Sequence, residues 1–157
     1  MSFREQGGWW VIGQSVLMGA IGLAGPFYAA PVDAWLKLAA GGVAMVGAVI
    51  GVAGAVTLGR NRTAYPAPLA SGELVQHGIY ARVRHPLYSS MILLAVGWSL
   101  WWGSPGALLM TIGFGFLLDA KAEDEERRLV VRFPEYERYR RRVPRLVPWM
   151  IRVRREA

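Results

Sequence analysis

Residues 34 to 59 read Ala34-Trp35-Leu36-Lys37-Leu38-Ala39-Ala40-Gly41-Gly42-Val43-Ala44-Met45-Val46-Gly47-Ala48-Val49-Ile50-Gly51-Val52-Ala53-Gly54-Ala55-Val56-Thr57-Leu58-Gly59, with Lys37 the sole charged side chain. An apolar run of this length exceeds the roughly 20 residues that an α-helix needs to cross a hydrocarbon core. Inside a bilayer the backbone finds no water to bond, so a run of this kind is a helix. Its small residues, among them Gly41, Gly47, Gly51 and Ala55, suit the close approach of a second helix. Lys37 lies near the start, where its long stem can carry the ammonium back to the interface.

Three further runs follow the same logic. Trp9 to Tyr28 is apolar, with Gln14 its only strongly polar side chain and Trp9 and Trp10 at one interface. Pro26, Pro31 and Asp33 mark its end and a short loop. Pro86 to Trp102 is a third run, Gly103-Ser104-Pro105-Gly106 a tight turn, and Ala107 to Leu118 a fourth, returning run. The fourth is short for a span, so its helix is expected to continue through Asp119 to Arg132. Pro134 should end it, and Glu135 to Arg142 should form a second short amphipathic helix. The expectation is an all-α integral membrane protein of one domain, residues 1–157. Its four transmembrane helices fall at about 9–28, 34–59, 86–102 and 106–120, with C-terminal cytoplasmic helices over about 120–143.

Composition agrees. Of 157 residues, 54% are hydrophobic and 18% charged, against about a quarter charged in soluble domains. There is no cysteine, which removes disulfides, thiol nucleophiles and cysteine metal sites. Two histidines, His77 and His85, are too few for a histidine-based zinc centre, so no metal is expected. The net charge of +7 is uneven: of 18 Lys and Arg residues only Arg4 and Lys37 precede position 60, and eleven arginines lie between Arg127 and Arg155. Basic cytoplasmic loops and tails of membrane proteins account for this, with a contact to anionic headgroups and no role for nucleic acid. Both termini, the 60–84 connection and the tail after Lys121 then share the cytoplasmic face.

Two ionisable clusters meet on that face. The first is Gly78-Ile79-Tyr80-Ala81-Arg82-Val83-Arg84-His85-Pro86-Leu87-Tyr88, immediately before an apolar run. It fits a plain helix start, with Pro86 at the first helical position and Tyr88 in the interfacial belt. It equally fits a site for a carboxylate or phosphate at a helix N-terminus. The second cluster is Glu123-Asp124-Glu125-Glu126. Glu123–Arg127 and Asp124–Arg128 read as exposed i,i+4 pairs. Glu126 falls on a stripe with Ala122, Leu129, Phe133 and Tyr136, where a carboxylate requires a cation or donors.

The string from Leu69 to Tyr88, L-x4-L-V-x2-G-I-Y-A-R-V-R-H-P-L-Y, resembles the signature of the integral-membrane methyltransferases that include isoprenylcysteine carboxyl methyltransferase and phospholipid methyltransferase. The resemblance extends through Lys121, Glu125-Glu126, Leu129, Phe133-Pro134-Glu135-Tyr136, Tyr139 and Arg142-Val143 to Pro148. Leu58-Gly59-Arg60-Asn61 with Pro66 and Pro68 is similar to bacterial members. It covers roughly residues 58–150. Two departures stand out: Lys121 replaces an arginine, and Pro134 a glycine.

The resemblance implies S-adenosylmethionine-dependent methyl transfer at the cytoplasmic face of a bacterial-type inner membrane. The acceptor it implies is lipophilic, an isoprenylcysteine-type carboxylate or a phospholipid amine. It implies Gly78, Tyr80, Arg84, His85, Pro86, Tyr88, Glu125 and Glu126 near the cofactor, and Lys121, Glu126 and His85 in catalysis. Lysine keeps the charge but loses bidentate carboxylate geometry, which argues against a carboxylate acceptor. The competing expectations are a sterol-reductase-type membrane enzyme using NADPH, and a non-enzymatic lipid-binding membrane protein.

Overall fold

The computed structural model describes residues 6–59, 63, 65–66 and 72–146. Within these residues the chain forms helices α1 (Gly8–Phe27), α2 (Ala34–Leu58), α3 (Pro86–Trp101), α4 (Pro105–Arg132) and α5 (Tyr136–Arg142), with a 3-10 turn at Gly78–Ala81 and no strand. Arg60, Asn61, Pro68, Leu69, Pro148 and the last arginines, which carry parts of the sequence expectation, lie outside the described residues.

Three helices, α1, α2 and α4, are long and apolar enough to cross a membrane. The expected four-span count is therefore not met in full. With 16 residues, α3 extends about 24 Å at 1.5 Å per residue, short of a hydrocarbon core of about 30 Å. Its length is set at one end by Pro86, which starts it, and at the other by the turn through Gly103, whose φ is +57°. The final run is one continuous helix of 28 residues, which continues through Asp119 to Arg132 as its short apolar part led one to expect. It stops at Arg132, just ahead of Pro134, as expected.

Tight packing of small residues joins α2 to α3. A Cβ added to Gly97 would lie 2.8 Å from the Ala40 carbonyl oxygen and 2.9 Å from Ala44 Cβ. One added to Gly47 would come within 2.9 Å of Leu93 Cβ, and at Gly51 within 2.4 Å of Ser90 Oγ. Since lipid tails are as apolar as Leu, close backbone approach and dispersion hold such a seam together in place of the hydrophobic effect. Gly47 and Gly51 thus lie in the interface the sequence indicated, whereas Gly41 has only the Trp101 ring nearby, at 3.8 Å. The opposite face of α2, with Met45, Val49, Val52 and Val56, is exposed, as a lipid-facing surface would be.

On the other side, α1 and α3 pack against α4 around Ile21, Ala95, Phe114 and Leu118. The α3–α4 turn docks onto α1. Ser104 caps α4 by accepting from Ala107 N at 3.2 Å and donates to the Ala24 carbonyl at 2.9 Å. These contacts fix the depth of α4. Its apolar half ends at Leu118, and the turns from Asp119 onward carry nine charged residues.

Candidate functional site

The charged half of α4 faces the start of α3, and the pairing expected between the two clusters forms there. Arg84 Nε and Nη2 approach Glu126 Oε1 and Oε2 at 2.9 and 3.1 Å, a two-pronged ion pair between buried side chains. His85 Nε2 lies 3.0 Å from Glu126 Oε1. Glu126, 2% exposed, also receives Arg145, whose Nη2 is 3.3 Å from Oε2. A buried carboxylate is stable only when compensated in this way, and three side chains share the task.

Beside this pair, Glu125 accepts from the Tyr88 hydroxyl at 2.8 Å and lies 3.8 Å from His85 Nδ1. The His85 and Tyr88 rings stack with centroids 5.2 Å apart and an interplanar angle of 2°. Lys121 is buried on the far side of Tyr88. Its Nζ is 5.1 Å from the ring centroid and donates to Gln14 Oε1 at 2.6 Å.

Arg84 does not stand ready for an external anion. Its Nη1 donates to the carbonyl of Arg140, at 2.6 Å, and to that of Val143. The backbone N–H groups of Arg84 and His85 donate to the carbonyls of Pro144 and Arg145 at 2.9 and 3.0 Å. Ser89 Oγ donates to the Leu146 carbonyl. Residues 143–146 therefore form a strap over the start of α3, occupying donors that the sequence reading offered to a carboxylate or phosphate.

Of the remaining expected residues, Gly78 opens the 3-10 turn with φ +60°, and a Cβ there would press on Thr57 of α2 at 3.0 Å. Its part is to let the turn close on α2. Pro86 is buried at the first position of α3 against Gly54. Tyr80 is buried, and its carbonyl accepts from the Tyr139 hydroxyl. Burial pushes the Tyr80, Tyr136 and Tyr139 phenols well above their ordinary range, so all three stay protonated.

A small cavity of about 90 Å³ opens beside this network, lined among others by Leu58, Glu73, Tyr80, Arg84, His85, Glu125, Leu129, Phe133, Tyr136 and Tyr139. Tyr80, Arg84, His85 and Glu125 thus meet at one cavity, while Tyr88, Lys121 and Glu126 form the layer beneath.

Both expected i,i+4 pairs are present, Arg127 with Glu123 at 2.5 Å on the exposed face and Arg128 with Asp124 at 3.2 Å, half-buried. Two participants were not anticipated. Arg145 bridges Glu126 and Asp119, the latter at 3.0 Å, and nothing marked it among the tail arginines. Gln14 carried a signal, as the lone strongly polar side chain of an apolar run, but not its partner.

Fold and site together define a helical integral membrane protein with a charged, tyrosine-lined site at one end of its bundle. The phospholipid methyltransferase family model matches residues 36–133, and the chain belongs to that family. It is also 32% identical over 127 residues to the nickel-cobalt-cadmium resistance protein NccN of Alcaligenes xylosoxydans xylosoxydans. That match covers 80% of this chain and 57% of the relative, so the chain spans little more than half of that protein's length.

Proposed function

We propose that this protein transfers a methyl group from S-adenosylmethionine to a lipophilic acceptor at the cytoplasmic membrane surface. One observation carries the reading. Within a member of the phospholipid methyltransferase family, the buried Arg84–His85–Glu126 network adjoins a cavity bearing the Glu125 carboxylate and tyrosine rings. In this reading the chain is a single domain of four membrane-embedded helices with both termini inside. Its basic C-terminal helix then lies against anionic headgroups, as charge asymmetry favours.

The chemistry of the cavity fits the cofactor. Aromatic faces and a carboxylate suit a sulfonium and an ammonium. Tyr80, His85 and Glu125 would hold it, with Gly78, Pro86 and Tyr88 supporting these residues from behind and Glu126, held by Arg84, fixing His85. The cavity, of about 90 Å³, is open to the surface, so part of the cofactor would lie between these side chains and the rest outside them. When bound, S-adenosylmethionine supplies a methyl group already attached to its leaving group, which leaves mainly positioning and exclusion of water to the protein.

A phospholipid amine must lose its proton before it attacks. Glu126, saturated with donors, is a poor base and acts as an orienting group. A proton on His85 Nε2, directed at Glu126, leaves the Nδ1 lone pair toward Glu125 as the proton acceptor. Lys121, buried next to Tyr88, offers a positive charge to an anionic part of the acceptor such as a phosphate. Among the described residues no three His, Cys, Asp or Glu side chains are grouped to hold a metal ion.

The test is methyl transfer from labelled S-adenosylmethionine to phosphatidylethanolamine, membrane lipid extracts and prenylcysteine analogues, with NADPH binding measured alongside. Transfer to a lipid fraction, lost in His85→Ala, is the expected result. NADPH binding without methyl transfer would support a reductase instead, and lipid binding with neither cofactor would leave a lipid-binding protein.

A further inference from the structure

Gln14 lies outside the matched family region, on α1, the helix that packs against α4. A polar amide in an apolar helix is costly in a membrane unless its groups are satisfied. Here its carbonyl oxygen accepts from Lys121 Nζ at 2.6 Å, and its amide nitrogen faces Met91 Sδ at 3.7 Å. The opposite orientation of the amide would set two donors against each other, so chemistry fixes which end faces the lysine.

Lys121 is 1% exposed, at a depth where an ammonium loses most of its hydration. The groups facing it come from three helices. They include Gln14 from α1, Tyr88 from α3 with His85 stacked behind it, and Glu125 one turn further along α4. The Glu125 carboxylate is also engaged by the Tyr88 hydroxyl. Asp119 is turned to Arg145. The amide oxygen of Gln14 is thus a close, neutral acceptor that stabilises the charged form of Lys121 over the neutral amine.

We propose that Gln14 is a positioning residue, which holds Lys121 protonated beneath Tyr88 so that the first helix sets the charge of the site. The proposal rests on the methyltransferase reading only for its effect on activity. The effect on Lys121 itself is independent of any reaction.

The chain has two lysines, Lys37 and Lys121, so selective ¹⁵N-lysine labelling gives two side-chain signals, with the exposed Lys37 as internal reference. The side-chain titration of each is followed by NMR in detergent micelles for the native chain, Gln14→Leu and Gln14→Glu. Gln14→Leu should lower the Lys121 midpoint by about one pH unit, a tenfold change in its ionisation constant, and Gln14→Glu should raise it. Lys37 should not move in either variant. The alkaline limb of the pH–rate profile should shift in the same order, whatever acceptor is used. If the leucine variant fails to fold, Gln14→Met, which also removes the amide oxygen, takes its place with the same expected direction. An unchanged Lys121 midpoint in Gln14→Glu, or shifts of the same sign in both variants, would overturn the proposal. Opposite shifts without any methyl transfer would uphold it while removing the enzymatic reading.

Discussion

Replacing Arg84 with methionine and Glu126 with leucine, singly and together, measures how far the two walls of the site depend on each other. Arg84 makes two charge-assisted hydrogen bonds to Glu126, at 2.9 and 3.1 Å, both side chains being under 10% exposed. At about 1.5–3 kcal/mol each, the gross contribution is about 3–6 kcal/mol. His85 and Arg145 continue to compensate Glu126 in Arg84→Met, so that variant should lose about 3 kcal/mol, the low end of the range for breaking a buried pair. Glu126→Leu leaves Arg84 and Arg145 facing each other, and should lose about 4–5 kcal/mol. In the double variant neither charge is stranded by the other's loss. Its cost should fall short of the sum of the single costs by about 2 kcal/mol. The assay is reversible unfolding in mixed micelles of a mild detergent and dodecyl sulfate, analysed as a double-mutant cycle. Costs that add to within about 0.5 kcal/mol would refute the reading of Arg84 and Glu126 as a directly coupled buried pair.

Two further expectations follow from the packing. Gly97→Val forces a side chain into the Ala40 carbonyl and Ala44 Cβ, so α2 and α3 must separate, with a loss of about 1–3 kcal/mol or more in the same assay. Gly113→Ala, where nothing lies within 4 Å of an added Cβ, should be neutral or slightly stabilising. Tyr139→Phe removes the hydroxyl donor to the Tyr80 carbonyl and should cost about 1–2 kcal/mol. It should also speed amide exchange in the 3-10 turn while leaving α2 unaffected.

What the amino-acid order determined alone was the helical, membrane-embedded character of the chain and the approximate limits of its helices. Apolar run length, Pro86, Pro134 and the turn at Gly103 act within a few residues of where they stand, so local reading finds them. The contact between the Arg84–Tyr88 and Glu125–Glu126 clusters was also legible, because they flank one apolar hairpin and so come to the same end of it. How those groups divide their partners was not. Arg84 is taken up by Glu126 and by carbonyls of the strap, which no spacing rule assigns. Arg145 reaches Glu126 across 19 residues, and Gln14 reaches Lys121 across 107. Such pairings depend on the depth and rotation of whole helices. The small-residue seam of α2 with α3, and the docking of Ser104 on α1, decide those, and they place one amide oxygen against one buried ammonium.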